Sequence, residues 1–346
     1  MCIGFDVGTY NLVSCRRNVE GKIVYKGEVN SFIEIPLEND FVFKMMRDIK
    51  IDEGTPQERR IPLIERKDIK IAYALGESSV DIAYTLNGVE LKRPMLHGCL
   101  NPQEKQAQQM LNVMVHGLLG KVEPGELLYY SSPANAINEE TDADFHSLTL
   151  ESMFKAYQDE SGNHVKPFPI NEGLALIYAE LKDRNFTGLG ISFGAGMVNI
   201  CYSIFGNPVF KFALVNSGDW IDKMAAKATG EPTTFINREK TKIDFNEEST
   251  SLVQRAIKTQ YEIMLKKTAV GIKNGLEQTT KIRTQNPVDI VIAGGTSLPE
   301  GFDRLFADTL QNVGLPVKVG SIIKPTLPLY SVARGCLIAA EAAASN

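Results

Sequence analysis

The pattern of apolar and polar positions predicts two sets of β-strands with the same organisation. Residues 3–17 contain an apolar run, a short polar turn and a second apolar run. Residues 190–200 repeat this order, again with glycines in the turn. Short apolar runs between Gly-containing turns are typical of β-strands. We therefore expect strands at about 3–7, 11–17 and 22–29, and the same three-strand arrangement over 188–215.

Apolar residues at helical spacing predict the helices. Within 102–119 they recur every three or four residues, which is the pattern of one buried helix face. We expect helices at 102–119, within 218–285 (including 261–276), at 302–312 and at 330–340. Buried strands are expected at 127–130, 290–293 and 316–319. Ser297 is expected to cap a helix that carries Pro299 in its first turn.

Three of the predicted strands end in glycine-containing turns. Gly8, Gly194 and the pair Gly294-Gly295 each follow an apolar run. Glycine lets backbone amides approach an anion closely, and successive amides in such a turn can bind it. Each turn alone could be an ordinary hairpin, but three such turns favour one shared cleft that holds nucleotide phosphates. Asp6, at the end of its strand, can reach a hydrated magnesium ion.

The same residues resemble nucleotide-binding motifs of the actin, sugar kinase and heat-shock chaperone ATPase superfamily. Residues 6–11 resemble its first phosphate motif, 194–196 its second phosphate motif and 294–296 its adenosine motif. Residues 74–77, residues 93–98, which begin with Arg93, and residues 217–222 look like landmarks of MreB, the bacterial actin. The likeness covers most of the chain and is weakest from about residue 30 to residue 71.

This resemblance implies an α/β, actin-like ATPase fold. In that fold two related domains of sheet and helices surround a nucleotide cleft, and each domain has a smaller subdomain. The implied cofactors are ATP or GTP with Mg²⁺. The expected subdomains are IA (1–30, 95–186 and 320–346), IB (31–94), IIA (187–219 and 276–319) and IIB (220–275).

The resemblance also implies which residues contact the nucleotide. They are Asp6, Gly8, Thr9, Tyr10, Asn11, Gly194, Ala195, Gly196, Met197, Gly218, Glu239, Lys242, Gly294, Gly295 and Thr296, with Asp6 also the metal ligand. Glu239 and Lys242 match a Glu-x-x-Lys pattern that touches ribose and base, but this spacing also gives an ordinary surface ion pair. Glu172, followed by Gly173 where the family has proline, either contacts the metal's water shell or begins a surface helix.

Hydrolysis needs a residue that orients the attacking water, and the resemblance implies Glu140 for this role. In the family this residue comes seven positions after a proline, and Glu140 is seven positions after Pro133. A carboxylate there can accept a hydrogen bond from water. Acidic residues in the first turns of a helix capped by Asn138 would give the same pattern, so both interpretations stay open.

The second phosphate strand departs from the family pattern. Ser192 stands where an aspartate is usual, and Met197 replaces a threonine. Serine supplies no charge to a magnesium ion, whereas phosphate binding rests largely on backbone amides. We therefore expect nucleotide binding with slow ATP hydrolysis, and we expect Ser192→Asp to raise turnover.

Composition and charge narrow the remaining classes. The chain has 346 residues and a net charge of −5, which argues against direct nucleic-acid binding because that needs clustered Lys and Arg. Five cysteines occur without a Cys-x-x-Cys pair, as expected in a reducing cytoplasm without disulfides or structural metal. No signal peptide, membrane-spanning run or leading amphipathic helix is found, which puts membrane attachment in doubt.

The resemblance therefore implies a cytoplasmic, nucleotide-dependent cytoskeletal protein that self-associates into filaments, with an adaptor protein as a further candidate partner. Two alternatives stay open: a nucleotide-gated scaffold or sensor that does not polymerise, and a sugar or acid kinase of the same fold. A kinase would need an aspartate base in a separate pocket, and the sequence shows no convincing one. The charged stretch at 52–60 is expected to be a solvated loop, with a filament contact as the alternative.

Overall fold

The computed structural model describes residues 2–36, 63–66, 70–85, 89–138, 141–279 and 286–345. The charged stretch at 52–60 lies outside these residues. The strands are β1 (Cys2–Val7), β2 (Asn11–Arg17), β3 (Ile23–Val29), β4 (Phe32–Pro36), β5 (Leu63–Arg66), β6 (Ile71–Leu75), β7 (Met95–Leu96), β8 (Cys99–Leu100), β9 (Glu126–Ser132), β10 (Val165–Asn171), β11 (Gly188–Phe193), β12 (Val198–Ile204), β13 (Asn207–Leu214), β14 (Val288–Ala293) and β15 (Val319–Ile323). The α-helices are α1 (Glu77–Thr85), α2 (Ala107–Leu119), α3 (Ala143–Ala156), α4 (Glu172–Glu180), α5 (Gly218–Thr229), α6 (Thr233–Lys240), α7 (Leu252–Gln278), α8 (Phe302–Val313) and α9 (Ser331–Ala344).

Two five-stranded sheets have the same strand order. The first runs β3-β2-β1-β9-β10 and the second runs β13-β12-β11-β14-β15. In each sheet an antiparallel meander of three strands is extended by two parallel strands. The predicted repeat of organisation is confirmed, and so are the strands expected in both meanders.

Smaller sheets flank this repeat. Strands β4, β6 and β5 form a three-stranded sheet within the segment expected to be subdomain IB, and β7 pairs with β8. The expected boundary at residue 320 falls inside β15, whose ladder partner is β14. The sheet therefore places β15 in the second half of the molecule, not with the residues that follow it.

Helices α4 and α9 cross between the two halves. Helix α4 follows β10 of the first sheet but packs on β11 and β12, whereas α9 follows β15 of the second sheet but packs on β1 and β9. Glycine permits both approaches. A Cβ at Gly4 would lie 2.1 Å from the carbonyl oxygen of Ala333, and one at Gly190 would lie 2.0 Å from that of Gly173. The exchanged helices therefore tie the two sheets together beside β1 and β11.

Apolar side chains form a core around each sheet. Phe5 and Tyr130 belong to the first core, Phe193 and Phe302 to the second, and a smaller cluster joins α4 to α9. The expected buried face of α2 is confirmed, although the helix begins at Ala107. Strands β1 and β11 are buried along most of their length, as in sheets covered by helices on both faces.

Two boundaries near the C-terminus were predicted wrongly. The last strand begins at Val319, because the carbonyl of Lys318 accepts from the Val288 N–H at 2.8 Å and the ladder with β14 starts at the next residue. A helix was expected to start directly after a cap at Ser297, but α8 begins only at Phe302. The Ser297 hydroxyl donates to the carbonyl of Gly294 at 2.8 Å and closes a short 3₁₀ turn instead of capping α8.

The expectation of a helix cap at Asn138 is also wrong. Helix α3 begins at Ala143, and its cap is Asp142, whose carboxylate accepts from the Phe145 N–H at 2.8 Å. The side chain of Asn138 accepts from the Val215 N–H instead, at 3.1 Å. No helix in the described part of the chain combines the length and apolar character needed to cross a membrane.

Candidate functional site

A cavity of about 280 Å³ lies where the turns after β1, β11 and β14 converge. It gathers most of the residues that the sequence assigned to a nucleotide. These are Asp6, Gly8, Thr9, Tyr10, Asn11, Gly194, Ala195, Gly196, Met197, Gly294, Gly295 and Thr296. The structure thus brings together three turns, the first and last of which are almost 290 residues apart in the sequence.

The first two turns have the same local geometry. The Gly8 N–H donates to the carbonyl of Asn11 at 3.0 Å, and the Gly194 N–H donates to that of Met197 at 2.9 Å. A Cβ would lie 2.5 Å from the Asn11 oxygen at Gly8, and 2.9 Å from the Met197 oxygen at Gly194. Both turns therefore require glycine for the same steric reason.

These two turns also contact each other across the cavity. A Cβ at Gly196 would lie 2.3 Å from Thr9 Oγ1 and 2.5 Å from the backbone nitrogen of Gly98. The hydroxyl of Thr9 therefore rests against the second turn. Two amide-rich turns that face each other across one cavity can bind one anionic group from both sides.

The third turn is bonded to the second. Thr296 Oγ1 donates to the carbonyl of Gly194 at 2.8 Å, and the Gly218 N–H donates to the same oxygen at 3.2 Å. Gly294 has a φ of +95°, and a Cβ there would lie 2.4 Å from the carbonyl oxygen of Phe193. Gly218 consequently supports the wall of the cavity without lining it.

The lysine that lines the cavity is Lys240. Its Nζ donates to the carbonyl of Gly218 at 2.9 Å and to Asp222 Oδ2 at 2.7 Å. Asn237 and Thr241 also line the cavity. Sequence analysis missed these three residues. Two signals were available: Asp222 in α5 is an acid that needs a cationic partner, and Asn237 and Lys240 are three residues apart, which places them on one face of a helix.

Glu239 and Lys242 do not line the cavity. They form an ion pair with each other at 2.7 Å, and the Lys242 side chain is 60% exposed. This is the arrangement that the alternative interpretation described. A nucleotide contact for either residue stays a prediction.

Two partly buried carboxylates, Asp6 and Glu172, line the cavity. Ser131 Oγ donates to Asp6 Oδ1 at 2.8 Å, and the same hydroxyl accepts from the Val7 N–H at 2.8 Å. Burial raises the pKa of Asp6. Burial also raises the pKa of Glu172, and the negative charge of Asp6 adds to the effect.

The donor set around these carboxylates suits a hard divalent cation. Ser192 and Asn199 line the cavity together with Glu172 and favour its charged form, so carboxylate, hydroxyl and amide groups meet here. No group of three or more His, Cys, Asp or Glu side chains among the described residues is placed to hold a metal ion by itself. Two carboxylates match Mg²⁺, which binds one or two protein carboxylates together with substrate phosphates.

The water-orienting residue expected at position 140 lies outside the described residues, as does Glu139. The preceding segment is anchored nearby, since the Ala134 N–H donates to Asn199 Oδ1 at 3.0 Å. Asn199 thus contacts both this segment and Glu172. The role of Glu140 stays a prediction.

Solved structures show which fold this is. The MamK double helical filament superposes with a TM-score of 0.70 at 16% identity and covers 98% of both chains. MreB5 of Spiroplasma citri bound to AMPPNP gives 0.66 at 14% identity, covering 99% of this chain and 97% of that one. Ethanolamine utilization protein EutJ from Carboxydothermus hydrogenoformans gives 0.50 at 16% identity, covering 97% and 89%. The predicted actin-like ATPase fold, like that of MreB, is confirmed.

Sequence comparisons give one family. A search of curated proteins finds no match. The model of the volactin family matches residues 1–340. Because that match spans nearly the whole sequence, the chain belongs to the volactin family.

Proposed function

We propose that this chain binds ATP or GTP with Mg²⁺, assembles into filaments and hydrolyses the nucleotide slowly. One observation carries the proposal: two turns of identical geometry meet across a cavity that two carboxylates also line. The turns offer backbone amides to phosphates, and the carboxylates offer oxygen ligands to a cation. A nucleoside triphosphate with a bound divalent cation matches both the amide-rich turns and the carboxylates.

The structural neighbours support the ligand class and the assembly. MreB5 of Spiroplasma citri is bound to AMPPNP in one structure and to ADP in another, and MamK forms a double helical filament. At 14–16% identity these proteins share the fold with this chain. The cavity described above supplies the independent support for a nucleotide.

Different residues of the chain contact different parts of the nucleotide and its cation. Glycine amides of the first two turns hold phosphate oxygens, and Gly295 leaves room beside Leu329 for the nucleoside. Asp6 and Glu172 hold Mg²⁺, which when bound offsets phosphate charge. Glu140 orients the water, as predicted from the sequence. The proposal also includes the expected subdomain division, with β15 assigned to the second half of the molecule, a cytoplasmic location and an adaptor partner.

Sedimentation and negative-stain imaging with ATP, AMPPNP, ADP or no nucleotide test the proposal. A matched pair of variants isolates the cavity. Among the described residues, a Cβ at Gly295 meets only Leu329 Cδ2, at 3.6 Å, whereas one at Gly117 on α2 meets nothing within 4 Å. Gly295→Val should therefore fold and fill the nucleoside side of the cavity, while Gly117→Val leaves the cavity unchanged.

We expect ATP and AMPPNP to promote filaments of the unmodified chain and of Gly117→Val, but not of Gly295→Val. Calorimetry should show nucleotide affinity lost in Gly295→Val alone. A protein that binds nucleotide but stays monomeric in every nucleotide and salt condition would support the sensor or kinase alternative. Unchanged affinity in Gly295→Val would remove the third turn from the site.

A further inference from the structure

Asp6 and Ser192 occupy equivalent positions in the two sheets. Strand β1 pairs antiparallel with β2 and parallel with β9, and β11 pairs in the same way with β12 and β14. Each residue has a glycine two positions before it, packed under a crossing helix, and another two positions after it, in a phosphate turn. The second sheet thus carries a hydroxyl where the first carries a carboxylate.

Glu172 fills the space beside this hydroxyl. It is the first residue of α4, and the next residue is Gly173. A Cβ at Gly173 would lie 2.7 Å from the backbone nitrogen of Cys201 and from the carbonyl oxygen of Gly190. The start of α4 therefore lies directly on β11 and β12, which brings the Glu172 carboxylate within hydrogen-bond reach of Ser192 and Asn199.

Only the amide nitrogen of Asn199 is available to donate a hydrogen bond to this carboxylate. It lies opposite Ser192 in the β11–β12 ladder, and both side chains are buried, at 1% and 4% exposure. Asn199 Oδ1 already accepts from the Ala134 N–H at 3.0 Å. Its amide nitrogen is therefore the group that donates to Glu172.

A carboxylate at position 192 would be unfavourable in this arrangement. Asp6 and Glu172 already line this cavity, and like charges in a partly desolvated cavity repel. A serine hydroxyl instead donates a hydrogen bond to Glu172 and adds no charge. We therefore expect Ser192→Asp to weaken the site, which is the opposite of the outcome expected from the sequence.

We propose that Ser192 and Asn199 are positioning residues for Glu172, which together with Asp6 provides the carboxylate pair of the divalent-cation site. The second carboxylate thus comes from the first residue of α4 instead of from β11. The inference rests on the proposed function, because the ligand is a nucleotide with its cation. It assigns a role to each side chain that the proposed function alone does not require.

The test is the affinity for AMPPNP, measured by calorimetry with Mg²⁺ and again with EDTA. The ratio of the two dissociation constants is the gain due to the cation. The unmodified chain, Glu172→Gln, Ser192→Ala and Ser192→Asp are compared. Ser203→Ala is the matched control, since Ser203 is fully buried on β12, lies outside the cavity wall and donates to the carbonyl of Phe186.

Glu172→Gln should abolish most of the cation-dependent gain. Ser192→Ala should reduce it by about tenfold, the usual scale for one hydrogen bond to a charged group. Ser192→Asp should reduce it as well, and Ser203→Ala should leave it unchanged. Thermal melts of each variant verify folding.

Two results would overturn different claims. An unchanged gain in Glu172→Gln, or a larger gain in Ser192→Asp, would show that Glu172 is not the second carboxylate, while nucleotide binding itself would stand. Absence of AMPPNP binding by the unmodified chain in both buffers would overturn the proposed function, and with it this inference.

Discussion

Arg93 and Asp219 form an ion pair beside the cavity, with Arg93 Nη1 2.8 Å from Asp219 Oδ1. The guanidinium also lies over the ring of Tyr10, 4.9 Å from its centre. On the other side, the Asp219 N–H donates to the carbonyl of Ala195 at 2.8 Å. Tyr10 belongs to the first phosphate turn and Ala195 to the second, so the ion pair links the two turns.

Arg93→Met should loosen this link. The paired side chains are only 26% and 22% exposed, so their interaction should exceed that of a surface pair and be worth about 2 kcal/mol. Hydrogen exchange at the amides of both turns should accelerate by at least about tenfold. Mass spectrometry of peptides that cover residues 8–11 and 194–197 measures this.

The control is Arg184→Met. Arg184 pairs with Asp289 at 2.7 Å, but its side chain is 59% exposed and lies away from the cavity. Exchange in the two turns should be unchanged in this variant. Equal exchange in Arg93→Met and the unmodified chain would show that the ion pair does not hold the turns together.

Lys240 gives a second prediction, because its partner Asp222 is buried. The two side chains are 11% and 3% exposed. Lys240→Met would leave an uncompensated buried charge, which costs about 3–5 kcal/mol. The chain offers a matched control in Lys242→Met, which breaks a pair that is exposed on the lysine side and should cost less than about 1 kcal/mol.

Denaturant unfolding and AMPPNP calorimetry separate the structural role of Lys240 from its role in the site. The double variant Lys240→Met, Asp222→Asn should recover much of the lost stability, since it removes the unpaired charge. It should not recover nucleotide affinity, because the cavity still lacks its lysine. Full recovery of both would place Lys240 outside the binding site.

The position of Lys240 also shows what the sequence alone could not predict. The Glu-x-x-Lys pattern predicted Lys242 on a helix face together with Glu239, but α6 ends at Lys240 and Lys242 lies two residues beyond it. Which lysine turns inward depends on the buried Asp222, which lies on another helix. Spacing along one helix cannot supply that information.

Strands and glycine turns were predictable, because their signals are local. The strands of both meanders follow apolar runs, and Gly8 and Gly194 are required by contacts three residues away. By contrast, the β15 boundary depends on a hydrogen bond from Val288, and the start of α8 depends on a 3₁₀ turn closed by Ser297. The contacts among Glu172, Ser192 and Asn199 join three segments, so no single stretch of sequence reveals them.

Trp220 should report nucleotide binding. It is the only tryptophan, it follows the cavity-lining Asp219, and Lys267 Nζ lies 5.2 Å from the centre of its ring. Binding that moves the start of α5 will change the environment of the indole. We expect its emission to shift when AMPPNP is added to the unmodified chain.

Gly295→Val serves as the control for this fluorescence change. Since the added side chain blocks the cavity, AMPPNP should leave the emission of this variant unchanged. Calorimetry on the same samples confirms which of them bind. Unchanged emission in the unmodified chain, with binding confirmed, would show that the start of α5 does not respond to nucleotide.

His146 gives the last prediction, which concerns stability at acidic pH. The side chain is 1% exposed, and Nδ1 accepts from the Leu100 N–H at 3.2 Å. Nε2 has no hydrogen-bond partner among the described residues. Burial lowers the pKa of His146 to about 4, from 6.5 in an unperturbed histidine. Protonation is therefore much less favourable in the folded chain.

Between pH 6.5 and 4 the unfolded chain should take up a proton at His146 that the folded chain does not. The contribution of His146 to stability is therefore complete above about pH 6.5 and falls as the pH is lowered, by about 3 kcal/mol in total. His146→Asn keeps an acceptor for the Leu100 N–H but does not titrate, so its unfolding free energy should decline less steeply over this range. Denaturant unfolding at several pH values measures both slopes, and equal slopes for His146→Asn and the unmodified chain would contradict the prediction.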